Sequence, residues 1–137
     1  RIADFFCGSG ALGLEALSRG AHHALFVDSS REAISAVKHN VKDLKLPARA
    51  EIRSMDVFSI RPSLLENVSI IFADPPYRKM FGEKLISLLS LKKFAYDGII
   101  VLEHESEWSY GGSEFQVLKR IDFGDSSVSF LQRTRSG

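Results

Sequence analysis

The residues best placed to do chemistry stand where an apolar run stops. Residues 68–73 are followed at once by Asp74, Pro75, Pro76 and Tyr77. Almost continuous apolar character marks a strand buried on both faces. Each proline lacks a backbone N–H and fixes φ, so the sheet ladder must end there. The sequence therefore predicts a stiff ledge that holds a carboxylate and a flat ring at the carboxyl end of a parallel strand. That is where open α/β sheets take their ligands. A carboxylate beside a ring suits a planar, hydrogen-bonding substrate such as a nucleobase. The competing reading is a sharp turn with Tyr77 as a cover for the core.

A second constellation lies near the start of the chain. Gly8, Gly10 and Gly13 satisfy G-x-G-x-x-G between a strand and a helix, and Asp28 follows Gly8 by twenty residues at the end of the next strand. Glycines there permit a tight turn and close approach of ligand to backbone, while the acid can accept hydrogen bonds from a ribose diol. An NAD enzyme would show the same pattern. Asp4 tilts the choice, because it sits inside the first strand and points a carboxylate toward the same pocket. A diphosphate would be repelled there, and a cofactor carrying an ammonium or sulfonium cation favoured. Asp56, flanked by Met55, Val57 and Phe58, suits an adenine ring and its amine; helix capping is an equal alternative.

Strand-like and helix-like segments alternate, which predicts an α/β fold around a mostly parallel sheet. Strands are expected at residues 2–6, 24–28, 48–52, 68–73 and 98–103. Helices are expected at 11–19, closed by Gly20, then from a Ser29 or Ser30 cap to Pro47 with Ile34, Val37, Val41 and Leu44 as its apolar stripe. A short helix around 57–65 and another carrying Phe81, Leu85, Leu88 and Leu89 complete the set. Residues 105–113 read as a loop with Trp108 and Tyr110, either a cover over the substrate or a loop anchored on a core tryptophan. Strands at 115–121 and 128–133 around turn residues 122–127 form a closing hairpin.

The totals fit one domain of 137 residues, 45% hydrophobic and 26% charged, and its 18 basic and 17 acidic residues give a net charge of +1. No general basic footprint for nucleic acid exists, so local patches must supply any phosphate contacts. One cysteine excludes an internal disulfide and fits a reducing, cytoplasmic setting. The chain opens directly on a strand without an initiator methionine, which predicts that an N-terminal part of the native protein lies outside it. His22, His23, His39 and His104 show no metal spacing and are expected at the surface or at strand ends. Cys7 lies in the glycine turn, the wrong place for a nucleophile facing a base.

Taken in order, Asp4, Phe6, Gly8, Gly10, Asp28, Asp56 and Asp74-Pro75-Pro76-Tyr77 resemble class I S-adenosylmethionine-dependent methyltransferases acting on exocyclic amines. More narrowly, residues 5–21 look like the bacterial family that methylates N2 of a guanine in small-subunit (16S) ribosomal RNA, and Leu102-Glu103-His104-Glu105 and the last strand are similar to that family too. Cys7 departs from it, standing where a small residue is usual, and the family's Arg- and Thr-rich N-terminal segment is not in this sequence. The resemblance implies a Rossmann-like fold: a seven-stranded, mostly parallel sheet ending in an antiparallel hairpin, with helices on both faces. It implies S-adenosyl-L-methionine as cofactor, held by Asp4, Phe6, Gly8, Ser9, Gly10, Asp28, Ser29, Asp56 and Val57. Asp74 and the Pro75 carbonyl would grip the guanine amine, Tyr77 would stack on the base, Pro76 would complete the ledge, and Arg78 with Lys79 would touch phosphate unless they are solvated charges at a helix start. The partner would be small-subunit ribosomal RNA, free or in an assembling particle, bound by a monomer. An adenine-N6 DNA methyltransferase, an NAD-dependent dehydrogenase and a non-catalytic nucleotide-binding module are the alternatives.

Overall fold

Alternation along the central strands decides how the layers form. In β1 (Ile2–Phe5), Ala3 and Phe5 face one way and Ile2 the other. β2 (Ala24–Asp28) repeats this, with Leu25 and Val27 opposed to Ala24 and Phe26. The first set joins Ile71 and Ala73 of β4 (Ile70–Ala73) and Ile100 and Leu102 of β5 (Ile99–Glu105) in a large core. That core is covered by Leu85, Ile86 and Leu89 of α3 (Arg78–Ser90). The second set packs on Leu17 of α1 (Ala11–Ser18) and on Val37 and Val41 of α2 (Arg31–Asp43). Helices therefore lie on both faces, as expected. The computed structural model describes residues 1–76 and 78–134, except the side chains at 78 and 79.

With β3 (Ala50–Ser54), β6 (Phe115–Phe123) and β7 (Ser126–Arg133), the sheet has seven strands in the order β3-β2-β1-β4-β5-β7-β6. β3 to β5 are parallel, and β7 runs antiparallel between β5 and β6. Gly124 takes φ +64° at the first position of the two-residue turn joining β6 to β7, the sign such a turn needs. Arg133 ties the hairpin to α3 through the carbonyl of Leu89 (2.8 Å) and to the segment after it through that of Tyr96 (2.9 Å).

Several boundaries differ from the sequence reading for physical reasons. β1 ends at Phe5 because Phe6 adopts φ +56° and leaves the extended region. Of the two expected caps Ser30 takes the role, its hydroxyl accepting from Ala33 N–H at 3.3 Å. Leu44 is 55% exposed instead of joining the apolar stripe. Lys45 at φ +59° closes α2 in a Schellman motif, Lys45 N–H bonding Lys42 O (3.0 Å) and Leu46 N–H bonding Val41 O (2.9 Å), which turns Leu46 onto the core instead. A 3₁₀ turn at Pro47–Arg49 pushes β3 two residues downstream. The helix expected around 57–65 is two 3₁₀ turns, Val57–Ser59 and Pro62–Leu65. β4 is not buried on both faces: Ile70 and Phe72 are half-buried, at the margin of the α1–α2 layer.

Candidate functional site

At the carboxyl ends of the parallel strands lies a cleft of about 790 Å³. It brings together Phe6, Asp28, Ser29, Asp56, Val57, Asp74, Pro75 and Pro76 from the predicted set. Asp4, Gly8, Ser9 and Gly10 are not on its walls; they form the turn that underlies it, with Asp4 only 2% exposed. Tyr77 lies outside the described residues, as do the side chains of Arg78 and Lys79.

The turn after β1 is held by carboxylates. Asp4 Oδ2 accepts the Gly13 N–H at 3.0 Å, and Asp28 Oδ2 accepts the Gly8 N–H at 3.1 Å. Asp28 Oδ1 also accepts the Ser30 N–H at 2.9 Å. The glycines serve different needs. Gly8 stands at φ +55° with open space where a Cβ would be, whereas a Cβ on Gly13 would lie 2.4 Å from Phe26 Cε1. One glycine is there for conformation and the other for helix–strand packing.

Burial pushes the Asp4 carboxyl up to about 7, with the charges of Asp28 and Asp74 adding to the rise and the Gly13 N–H opposing it. Burial, helped by Asp4 and Asp28, also pushes the Cys7 thiol up to about 12, so it is neutral and inert in this turn. Asp56 does both things the sequence allowed. Its Oδ1 accepts from Phe58 N–H at 2.9 Å, capping the following turn, and the residue also faces the cleft.

Phe58, expected beside Asp56, is on the cleft, and three further lining residues escaped the sequence reading: Phe81, Lys84 and Glu105. Phe6, Phe58 and Phe81 make an aromatic trio, with centroids 5.8 Å apart for Phe6–Phe58, 6.3 Å for Phe6–Phe81 and 5.4 Å for Phe58–Phe81. Lys84 Nζ sits 4.3 Å above the Phe58 ring, a cation–π contact. These residues come from three distant segments, so no local pattern in the chain announces them. Glu105 ends β5 beside the ledge, and its Oε2 is shut from solvent with no hydrogen-bond partner among the described residues. Among the described lining residues Lys84 is the one cation against Asp28, Asp56, Asp74 and Glu105.

The loop after β5 is structural. Trp108 is buried, donates Nε1–H to Glu83 Oε1 at 2.8 Å, and meets the His104 ring edge-on at 4.7 Å. His104 stands at the end of β5, one of the two places expected for it, but buried: it is 1% exposed, with Nε2 2.7 Å from Ser129 Oγ. Arg120 holds the same loop through the carbonyl of Trp108 at 2.8 Å. No group of residues suited to a metal ion exists among the described residues, and no described helix is long and apolar enough to cross a membrane.

A 3-2-1-4-5 parallel sheet closed by an antiparallel 7-6 hairpin, with an acid-braced glycine turn beside an Asp-Pro-Pro ledge, is a Rossmann-like class I methyltransferase fold. Within that class, the chain belongs to the family described as "Conserved hypothetical protein 95", whose model matches residues 1–132. It is 40% identical over 114 residues to Bacillus subtilis YlbH, provisionally named an rRNA methyltransferase, covering 78% of this chain and 60% of that one. It is 35% identical over 105 residues to the Escherichia coli ribosomal RNA small subunit methyltransferase D, covering 76% of this chain and 52% of that protein. The solved structure of Escherichia coli yhhF, provisionally named a methyltransferase, superposes with a TM-score of 0.81 at 29% identity, covering 98% of this chain and 76% of the other. The chain thus spans between half and three-fifths of the length of these two curated relatives.

Proposed function

We propose that this domain transfers a methyl group from S-adenosyl-L-methionine to the exocyclic N2 amine of a guanine in small-subunit ribosomal RNA. The observation that carries the reading is the way Asp4 occupies the glycine turn. In a dinucleotide enzyme the amides opening the first helix face a pyrophosphate. Here the Gly13 and Gly8 N–H groups are already spent on Asp4 and Asp28. The cleft beyond is rich in carboxylates, which suits a cationic donor and disfavours a diphosphate. The relatives' names point to the same class of reaction and to RNA as its target.

S-adenosyl-L-methionine supplies an electrophilic methyl on a sulfonium. In the proposed arrangement Asp4 and the turn from Gly8 to Gly10 hold its amino-acid end, with Phe6 and Ser9 beside it, Asp28 and Ser29 take the ribose, and Asp56 with Val57 and Phe58 takes the adenine. Asp74 and the Pro75 carbonyl accept the two N–H bonds of the guanine amine and turn its lone pair toward the methyl carbon. Tyr77 and Pro76 contact the base, and Arg78 a phosphate. The amine nitrogen forms the new C–N bond as the C–S bond breaks, the electron pair leaves on sulfur, and the nitrogen's extra proton passes to water. No strong base is required, so catalysis is chiefly positioning. The guanine must be unpaired or drawn from its stack to reach the ledge. We take the acting unit to be a monomer, with an assembled or assembling small-subunit particle as substrate.

The test is radiolabelled methyl transfer by the full-length protein to small-subunit RNA and to particles lacking the mark, followed by nucleoside mass spectrometry. N2-methylguanosine is expected. N6-methyladenosine would transfer the reading to the adenine class, and tight NADH binding without S-adenosylhomocysteine binding would end it.

A further inference from the structure

We propose that Glu105 reads the base: its carboxylate accepts the N1–H of guanine while the Asp-Pro-Pro ledge holds the neighbouring 2-amine. The inference rests on the guanine reading above and deepens it. Three observations place Glu105 there. β5 runs parallel to β4 with Leu102 paired to Ala73, so Glu105 stands three residues past the last rung, on the strand beside the ledge. Alternation along β5 sends Leu102 and His104 into the core and leaves Glu105 on the cleft wall with Asp74, Pro75 and Pro76. Its backbone is fixed, because the Glu105 carbonyl accepts the Trp108 N–H at 3.1 Å and lies 2.7 Å from His104 Nδ1.

The side chain on this fixed backbone is incompletely partnered. Glu105 Oε2 is excluded from water and finds no donor among the described residues. Buried acceptors are almost always bonded; Glu105 lines the cleft, so a rotation of its side chain brings this unpaired oxygen to a ligand donor. Guanine offers a row of two donors, N1–H and the 2-amine, on its Watson–Crick edge. Two acceptor groups on adjacent strand ends match that row. Adenine presents a lone pair at N1, which would face the Glu105 carboxylate and be repelled. The ledge alone treats the two purine amines alike, whereas Glu105 separates them by charge and hydrogen-bond polarity.

The probe is 2-aminopurine, which keeps the 2-amine to be methylated but carries an acceptor at N1. Small-subunit particles are reconstituted with RNA bearing either guanine or 2-aminopurine at the modified position, and kcat/KM is measured with the full-length protein. Wild type should favour guanine by about a hundredfold or more, as polar sites do against analogues lacking the donor. Glu105→Ala should collapse that ratio at least tenfold, at an unchanged S-adenosylhomocysteine Kd. Glu105→Gln preserves shape and presents an amide N–H, so it should shift preference toward 2-aminopurine, and it serves as the readout if the alanine variant does not fold. A guanine to 2-aminopurine ratio equal to wild type in the variants overturns the role of Glu105 and leaves the guanine reading standing. Absence of N2-methylguanosine from the wild-type reaction overturns both.

Discussion

The two walls of the cleft handle their acids in opposite ways. On the β1–β2 side, Asp28 on the wall and Asp4 beneath it are bonded to the backbone N–H groups of the turn they brace. On the β5 side, Glu105 ends its strand with an acceptor that no described residue satisfies. The acids of the first side are already bonded, whereas the second side keeps an acceptor without a donor among the described residues. A preformed wall suits a small cofactor used by every turnover. A wall with an open acceptor suits a substrate that must be chosen among similar bases, because choosing requires that the wrong partner leave something unpaired.

Breaking the ledge should have the largest effect. Asp74→Ala is expected to lower methyl transfer about 10²–10³-fold, the usual loss on removing one oriented electrostatic partner. S-adenosylhomocysteine affinity by calorimetry should stay within about threefold; a parallel loss would erase the division between the walls. Asp4→Asn tests the other wall and should weaken S-adenosylmethionine binding about tenfold or more, through the lost charge.

The same variant has a pH signature. The folded Asp4 carboxyl titrates at about 7 against an ordinary 3.8. Below the lower value it is neutral in both states. As pH rises toward 7 the unfolded chain ionises first, so unliganded stability falls across that window and levels off above it. The ceiling is about 4 kcal/mol, and chemical denaturation of wild type minus Asp4→Asn from pH 4 to 8 should show that fall. A rise with pH would contradict the burial of Asp4. Gly13→Ala drives a methyl against the fully buried Phe26 ring, and a loss of about 1–3 kcal/mol is expected from thermal melting. Trp108→Phe should cost the least, about 1 kcal/mol for the bond to Glu83, without moving donor affinity. A change in donor binding would show that the β5–β6 loop belongs to the cleft.

Elements with strong local signals were legible in the chain. β2 stands at the expected residues, and β1, β4, the glycine turn, α2 with Ile34, Val37 and Val41 on its buried face, and the closing hairpin stand within a few residues of where pattern and turn chemistry put them. What stayed hidden was decided across the fold. Glu103 and Glu105 read as the end of a strand, yet pairing with β7 carries β5 through both. Leu44 and Leu46 are equally apolar, and only the left-handed Lys45 tells which one turns inward. Asp4 inside β1, Asp28 at the end of β2 and Asp56 and Asp74 just past β3 and β4 were found because each stands in or directly after a strand-like segment, but Phe81, Lys84 and Glu105 carry no such marker. That their partners lie in other strands and helices is a fact of topology rather than of spacing.

The sealed thiol of Cys7 has a practical consequence. It is 8% exposed, sits within the turn that braces the donor wall, and keeps its proton far above neutral pH. An alkylating reagent can reach it only when that turn opens, and the chain contains no other cysteine. These 137 residues therefore carry their own clock for breathing of the glycine turn: the rate at which a mild electrophile marks this sulfur counts excursions that no static picture records.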